Sequence, residues 1–392
     1  MNAVGCGASA LPFDGTAGQL RPMSLRLATF NVENLMNRFD FSGFRNETHQ
    51  DRVLALYEIK DELEYRHLER ARVMSHTDDS RQLSALAIAA TRSDILCLQE
   101  VDNIDALRAF EYGYLFKMVG HGYREKFTTS GNDGRGIDVA VMVREETRHG
   151  QKIEFVRMQS HAHLTYGDLD LFTPALAEIG EKPHERIFRR DCLELDLRID
   201  GKPLTIYTVH FKSMGGARNG LDGRAFTMPV RLAEAAAVRR IIENRFGADH
   251  AADKRWAICG DLNDYRERIV ISGDAHEGYA FEPVREDVSC LDVLTAGGFC
   301  ENVVERRSAM ERWTLYHTRG PAERHLCQLD YILLSRGLAR RNAEAVPEIV
   351  RAGQPFRTPF PPGQEVERFP RVGWDRPKAS DHCPVVVELD VA

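Results

Sequence analysis

The chain has 392 residues, 43% of them hydrophobic, which is enough for a substantial core in one to three domains. Its 52 Lys and Arg against 59 Asp and Glu give a net charge of -7, which excludes the overall basic charge typical of duplex-wrapping proteins. No segment approaches the roughly 18 consecutive apolar residues of a membrane span, so we expect a soluble protein.

The N-terminal residues and the cysteines indicate the cellular compartment. Residues 1–24 lack early Lys or Arg and a continuous apolar segment, unlike a secretory signal or a transit peptide, and we interpret them as a flexible tail. The eight cysteines include no Cys-x-x-Cys pair, which argues against a zinc or disulfide framework. Four that adjoin apolar strand-like residues are expected to be buried thiols: Cys97, Cys192, Cys259 and Cys383. We therefore expect a cytoplasmic location.

In the first half of the chain, apolar strands end or begin at polar residues. Residues 25–32 predict a strand with Asn31 at its exit, and residues 94–98 predict a buried strand followed abruptly by Gln99 and Glu100. Between them, a charged insertion at about 37–80 and a segment at 80–92 have helical spacing of apolar residues. Residues 136–143 predict a further strand, with Asp138 near its start.

The second half repeats this arrangement. Strands are predicted at 192–197, at 204–213 with His210, at 256–262 with Asp261 and Asn263 at the end, and at 329–335 with Asp330 at the entry. A helix is predicted at 228–244. After a Pro-rich, charged excursion, Asp381 and His382 precede the last strand. No repeat and no long linker divides the chain, so residues 25–392 are interpreted as one domain.

Polar residues at the ends of several strands can meet at one edge of a sheet and form a concave site. Taken singly, each has a structural explanation: a turn at Asn31, a helix cap at Glu100, an Asx-turn at Asp261 or an ion pair at Asp330. These explanations do not account for the recurrence of polar residues at the ends of apolar strands along the chain. The residues thus favour a site rich in carboxylates and amides, with two histidines.

The chain resembles the endonuclease/exonuclease/phosphatase superfamily, in motifs that follow the family's order between residues 25 and 390. The motifs are Thr29-Phe30-Asn31-Val32, Leu98-Gln99-Glu100-Val101, Val209-His210-Phe211, Gly260-Asp261-Leu262-Asn263, Leu329-Asp330-Tyr331-Ile332 and Ser380-Asp381-His382-Cys383-Pro384. The resemblance implies a four-layered α/β sandwich, with two packed mixed sheets and helices outside. It also implies metal-assisted cleavage of a phosphate ester.

The resemblance further implies a role for each matched residue. Glu100 is expected to bind Mg²⁺ or Mn²⁺ with Asn31 and Asp381, since hard cations prefer oxygen ligands. His382 is expected to accept the proton of the attacking water. The supporting roles follow: Asp330 orients His382, Asp261 and Asn263 hold the nucleophile and phosphoryl oxygens, His210 donates to a phosphoryl or leaving oxygen, and Asp138 orients His210.

Other residues near the motifs allow two interpretations. Arg135, Arg189 and Lys212 flank the motifs and either contact substrate phosphates or are solvated cations. Three histidines are expected at the surface rather than as ligands: His161, His163 and His184. Three aromatic residues either stack on a base or pack between layers, and packing is favoured: Trp313, Tyr316 and Trp374.

The sequence defines the reaction type better than the substrate, because variable loops set the substrate in such folds. We predict a phosphodiesterase of nuclease type with a phosphate-ester substrate, a nucleic acid in this first hypothesis, because His210 and the motif around Asp261 resemble those of nucleases. The alternative is a phosphatase or phosphodiesterase acting on a small-molecule or lipid headgroup phosphate, which the acidic net charge favours. A catalytically silent binding module is disfavoured because Glu100, Asp261 and His382 are all present.

Overall fold

The structure is a computed structural model that describes residues 24–35, 62, 78–215, 222–318 and 323–391. Its strands are β1 (Ser24–Leu35), β2 (Ile95–Val101), β3 (Glu125–Thr128), β4 (Asp138–Val143), β5 (Ile153–Ser160), β6 (Cys192–Ile199), β7 (Lys202–His210), β8 (Trp256–Asp261), β9 (Glu267–Asp274), β10 (Gly278–Arg285), β11 (Cys300–Asn302), β12 (Leu315–His317), β13 (Arg324–Cys327), β14 (Asp330–Ser335), β15 (Glu348–Ile349) and β16 (Val385–Asp390). Its α-helices are α1 (Asp78–Thr91), α2 (Ile104–Phe110), α3 (Lys117–Val119), α4 (Pro174–Glu178), α5 (Gly223–Phe246), α6 (Leu291–Thr295) and α7 (Arg336–Arg341).

Two six-stranded sheets form the centre of the molecule. One has the order β15-β16-β1-β2-β4-β3 and the other β11-β14-β8-β7-β6-β5. Each sheet is mixed, because β1 and β2 are parallel, as are β7 and β8, while the other pairs are antiparallel. A smaller four-stranded sheet has the order β10-β9-β13-β12.

The alternation of side chains along β1 explains how the layers are held together. Leu25 and Leu27 point into the core between the two large sheets, where they join residues of β6, β7 and β8. Ala28 and Phe30 belong to the outer core, which α1 and α2 cover. A strand buried on both faces favours apolar residues at nearly every position, and the first four residues of β2 are apolar. β1 also buries polar side chains, among them Arg26, Thr29 and Asn31.

Helices cover the outer faces of both large sheets. The longest, α5, begins at Asp222, whose carboxylate accepts a hydrogen bond from the amide of Ala225 at 2.7 Å. Its apolar face, with Val238 and Ile242, packs against Tyr207 and Ile258 of the second sheet. The layers are therefore helix, sheet, sheet, helix.

The predicted four-layered α/β sandwich is confirmed, whereas the small third sheet was not predicted. The described cysteines are free and buried, as expected. Apart from Ser24, the predicted tail lies outside the described residues, as does the predicted insertion apart from Glu62 and residues 78–80. Among the described residues, no helix is both long enough and apolar enough to cross a membrane.

Candidate active site

The topology brings the motifs to one edge of the sandwich. β1 and β2 run parallel, so Asn31 and Glu100 leave the first sheet on the same side, and β7 and β8 bring His210 next to Asp261 in the second. β14 runs antiparallel to β8, which pairs its first residue, Asp330, with Asp261.

The last motif reaches this edge for the same reason. β16 is antiparallel to β1, with Val385 opposite Thr29, so the residues that precede β16 lie at the end of β1. The hydroxyl of Ser380 donates to the carbonyl of Asn31 at 2.7 Å, which fixes the start of the Asp381-His382 loop. The predicted convergence of strand ends is therefore found.

These ends line a polar cavity of about 430 Å³. Seven of the predicted site residues face it: Glu100, Arg135, His210, Asp261, Asn263, Asp381 and His382. Asn31 and Asp330 lie directly behind this wall, fully or almost fully buried, and contact it through hydrogen bonds. Residues from both large sheets thus share one site.

Asp261 is the centre of the hydrogen-bond network. Its carboxylate accepts from the side-chain amide of Asn31 at 3.0 Å, and from the backbone and side-chain amides of Asn263 at 2.7 and 3.1 Å. The Nε2 atoms of His210 and His382 lie 3.5 and 3.8 Å from Asp261 Oδ2. Burial, aided by the negative charge of Asp330, raises the pKa of Asp261 to about 7.

His382 is held by a buried carboxylate. Its Nδ1 donates to Asp330 Oδ2 at 2.9 Å, and the Thr314 hydroxyl donates to the same oxygen at 2.6 Å. Burial alone lowers the pKa of His382, but the carboxylates of Asp330, Asp261 and Asp381 outweigh it and raise the pKa well above the usual range. The bond to Asp330 leaves Nε2 facing the cavity, where it can exchange a proton with a ligand.

Glu100 faces the cavity from a left-handed backbone conformation, with φ of 66°. Its Oε1 accepts from Asn31 Nδ2 at 3.4 Å and lies 3.9 Å from His210 Nε2. Burial and the nearby charge of Asp381 raise the pKa of the Glu100 carboxyl. A conformation that costs a non-glycine residue about 1 kcal/mol or more is typical of a functional position.

The donor set fits a hard divalent cation held by few protein ligands. Within the described ranges, no three His, Cys, Asp or Glu side chains are placed to surround a metal ion. Glu100 and Asp381 offer two carboxylates, which matches Mg²⁺ sites that are completed by water and substrate oxygens. The Asn31 Nδ2 faces Glu100, while its Oδ1 accepts from the amide of Glu33 at 3.0 Å, so ligation by Asn31 requires the amide to turn over.

Besides Asn31 and Asp330, three predicted residues lie outside the cavity lining: Asp138, Arg189 and Lys212. Asp138 accepts a hydrogen bond from the amide of Gly131 at 2.7 Å, and burial raises the pKa of Asp138 to about 6. The Nδ1 of His210 has no hydrogen-bond partner among the described residues. The hydrogen bond expected between Asp138 and His210 is thus not formed. Arg189 pairs with Glu181, and the Lys212 ammonium donates to the carbonyl of Ser213 at 3.3 Å.

The cavity lining also includes residues that the sequence analysis did not select, among them the charged residues Glu33, Arg190, Arg376 and Lys378. Arg190, next to the predicted Arg189, donates to the carbonyl of Phe211 at 2.9 Å and pairs with Asp133 at 3.0 Å. Glu33 accepts from the Asp381 amide at 3.0 Å and pairs with Arg376 and Lys378 at 2.7 and 3.0 Å. Its left-handed φ of 52° is the feature that would have singled it out, and a sequence does not reveal it.

Two other expectations need correction. His161 is buried rather than at the surface, and its Nε2 lies 3.0 Å from the buried Glu194 carboxylate, which provides a polar partner for the ring. Trp374 was expected to pack between layers, but 72% of its surface is exposed, beside the cavity residues Asp375 and Arg376. Trp313, in contrast, is buried as expected.

The fold and the cavity define an α/β sandwich protein with an acidic, histidine-containing site at one edge. The profile of the Endonuclease/Exonuclease/phosphatase family matches residues 28–382, and the chain belongs to this family. The resemblance found in the sequence is thereby confirmed. Members of the family are phosphoric ester hydrolases.

Several solved structures resemble the chain at low sequence identity. Truncated Caenorhabditis elegans TDP2 has a TM-score of 0.48 and 12% identity, with coverage of 94% of this chain and 98% of that one. The human Nocturnin catalytic domain has a TM-score of 0.47 and 13% identity, with coverage of 94% of this chain and 94% of that one. Sphingomyelinase C from Streptomyces griseocarneus has a TM-score of 0.46 and 14% identity, with coverage of 93% of this chain and 99% of that one. Comparison with curated protein sequences gave no match.

Proposed function

We propose that this protein is a divalent-metal-dependent phosphodiesterase of nuclease type. The observation that carries the proposal is the convergence of Glu100 and Asp381, the His382–Asp330 pair and a second histidine, His210, on one cavity. A phosphodiester needs all three elements: compensation of its negative charge, a base for the nucleophile and a donor for an oxygen that gains charge.

Glu100 and Asp381, with Asn31 after its amide turns, are the proposed ligands of Mg²⁺ or Mn²⁺. Burial and neighbouring carboxylates raise the pKa of Glu100, Asp261 and Glu33 around this point, and a bound cation offsets such a concentration of negative charge. When bound, the ion supplies positive charge that stabilises the developing charge on the phosphoryl oxygens.

His382 is the proposed general base. The nearby carboxylates raise the pKa of His382 and favour the imidazolium, so the ring acts as a base only after Nε2 has lost its proton. In this neutral form Nδ1 donates to Asp330, and the Nε2 lone pair accepts the proton of the attacking water. Asp330 then stabilises the imidazolium. Asp261 and Asn263 hold the water and a phosphoryl oxygen in position, since both line the cavity beside His382.

His210, whose Nε2 lies near Asp261 Oδ2 as that of His382 does, is the proposed donor. Burial and the nearby Arg190 lower its pKa well below the usual range, so the ring is neutral and carries a single N–H. An Nε2–H directed into the cavity can donate to a phosphoryl or leaving oxygen. Arg190 and Arg135 are the proposed phosphate contacts, because both guanidinium groups line the cavity. Asp138 retains at most an indirect role through Gly131.

A second candidate is hydrolysis of a small-molecule or lipid headgroup phosphate ester, which the net charge of -7 favours. Product release from plasmid DNA, RNA and bis-p-nitrophenyl phosphate, each with Mg²⁺, Mn²⁺ or EDTA, separates the two. Cleavage of a nucleic acid that EDTA abolishes is the expected result. Cleavage of the small diester without cleavage of either polymer supports the second candidate, and no metal-dependent cleavage at all contradicts both.

A further inference from the structure

A second cavity, of about 450 Å³, adjoins the candidate active site. Met214 and His317 line both cavities, so the two are neighbours that share a wall. The strand that carries His317 is also tied to the catalytic loop. Leu315 forms a β-bridge with His382, and the amide of Cys383 donates to the carbonyl of Thr314 at 2.7 Å. A ligand in the second cavity would therefore lie beside a group bound in the first.

Three aromatic rings form part of the wall of the second cavity: Tyr265, His317 and His325. His317 on β12 and His325 on β13 are direct cross-strand partners, and their rings stack at 4.7 Å between centroids with an interplanar angle of 8°. Tyr265 meets the His325 ring edge-on at 5.5 Å. Stacked and edge-on rings in a cavity wall form a surface that suits another planar ring.

His325 also provides unused hydrogen-bonding capacity. The residue is buried, and its Nε2 has no hydrogen-bond partner among the described residues. Its Nδ1 lies 2.9 Å from Glu323 Oε1, but not in the direction of a hydrogen bond. Burial and the neighbouring His317 lower the pKa of His325 to about 4, so the neutral ring has one donor and one acceptor. Buried polar atoms without partners are uncommon and indicate a missing ligand or water.

The charges around the cavity argue against a simple ion site. Arg224 pairs with Glu286 at 3.1 Å, and Arg268 pairs with both Glu286 and Glu323. The Asp222 carboxylate caps α5. Since the charged side chains compensate one another, neither a free cation nor a free anion gains a clear advantage, and a neutral ring with hydrogen-bonding edges fits best.

We propose that the second cavity binds the nucleobase next to the scissile phosphate, stacked on the His317–His325 pair and hydrogen-bonded to His325. This inference rests on the proposed function, because it places a substrate group beside the phosphate site. In this proposal, the residues that distinguish a nucleotide from a simpler phosphate ester lie on β12 and β13 of the small sheet.

Equilibrium binding tests the base site without catalysis. Isothermal titration calorimetry in EDTA compares adenosine 5′-monophosphate with ribose 5-phosphate for the native protein, His325→Leu, His317→Leu and the control His276→Leu, an exposed histidine in the β9–β10 turn. We expect the nucleotide to bind about tenfold more tightly to the native protein and the control, the order expected for one stacked base. In both cavity variants, the two ligands should bind equally.

The outcomes separate the two proposals. Equal affinity for both ligands in the native protein, or an unchanged preference in both cavity variants, overturns the base site. If the native protein prefers the nucleotide and the cavity variants lose this preference, but the native protein does not hydrolyse bis-p-nitrophenyl phosphate in Mg²⁺, the base site is supported and the proposed function is contradicted. His317 is only half-buried, so His317→Leu keeps the test decisive if thermal unfolding shows that His325→Leu is misfolded.

Discussion

His382 Nδ1 lies 2.9 Å from Asp330 Oδ2, although 52 residues separate them in the chain. Asp330 is fully buried, and its Oδ2 also accepts from the Thr314 hydroxyl, so the position of this oxygen is fixed. A hydrogen bond at Nδ1 selects the tautomer in which Nε2 is free to accept a proton. The hydrogen bond between His382 and Asp330 is the geometric basis for the proposal that His382 is the general base.

Asp330→Asn should lower kcat for bis-p-nitrophenyl phosphate by a hundredfold or more, with little change in KM, because an amide does not stabilise the imidazolium. Thr314→Val should cause a smaller loss, of about tenfold, since it removes the hydroxyl that donates to Asp330 and accepts from the amides of Leu329 and Asp330 but keeps the carboxylate itself. Asp249→Asn, on the surface, is the control. A wild-type kcat for Asp330→Asn would exclude His382 as a base that Asp330 orients.

Glu100→Gln should weaken Mg²⁺ binding by at least about tenfold, because the amide has half the oxygen donors and no charge. Titration calorimetry of the metal measures this directly, without substrate. Glu282→Gln on β10, exposed and outside the cavity, is the matched control. Equal Mg²⁺ affinity for Glu100→Gln and the native protein would reject Glu100 as a ligand.

The neighbouring residues Arg189 and Arg190 should respond differently to the same conservative change. Arg190→Lys should reduce kcat/KM by about tenfold or more, because a planar guanidinium bound to Phe211 and Asp133 is replaced by a point charge. Arg189→Lys should remain near the native value, since this side chain pairs with Glu181 outside the cavity lining. The opposite ranking in steady-state kinetics would restore Arg189 as the phosphate contact.

Gly260→Ala should destabilise the fold by at least about 2 kcal/mol, because the φ of 152° is strained for other residues and a Cβ there would lie 1.9 Å from the Val209 carbonyl oxygen. Gly134→Ala is the control, since nothing lies within 4 Å of its Cβ position. Urea unfolding measures both, and equal midpoints would show that β7 and β8 do not approach as closely at this site.

Glu234 should make stability depend on pH. Its buried carboxylate accepts from the amides of Lys212 and Arg189 at 2.7 and 3.2 Å, and burial raises its pKa from 4.5 to about 7. A raised folded-state pKa contributes stability below pH 4.5 that is lost as the pH rises through 7.

The full loss is about 3 kcal/mol, at 1.36 kcal/mol for each pH unit between the two values. Urea unfolding of the native protein and of Glu234→Gln at several pH values between 4.5 and 8 checks the sign. The native protein should lose stability relative to the variant as the pH rises, whereas parallel pH profiles would contradict the raised pKa.

The sequence predicted the elements in which apolar pattern and burial agree. β2 and β8 are buried on both faces, and each is a nearly continuous apolar run that stops at a polar site residue. β1 is also almost wholly buried, but its first residues alternate between apolar and polar side chains. The third sheet was not predicted, because β10 is largely exposed and β12 has only three residues, which leaves no clear periodicity. Local pattern does not determine such strands; their pairing partners do.

The site was predicted as far as the motifs extend. Choosing between Arg189 and Arg190 depends on Asp133 and Phe211, which are distant in the chain, and nothing in the local sequence distinguishes two adjacent arginines. The contact of Asp138 depends on the approach of the Gly131 amide, a loop conformation that the strand pattern does not define. The contacts that depend on loop conformation were therefore the part of the site that the sequence did not predict.

The central claim is that Glu100 and His382 act on one phosphate, and a double-mutant cycle on hydrolysis of bis-p-nitrophenyl phosphate in saturating Mg²⁺ tests it most directly. We predict that Glu100→Gln and His382→Ala each lower kcat/KM by about a hundredfold or more, and that the double variant loses much less than the product of the two, because residues that serve one step are not additive. Single variants that keep kcat/KM within twofold of the native value, with the fold intact by circular dichroism, would contradict the claim.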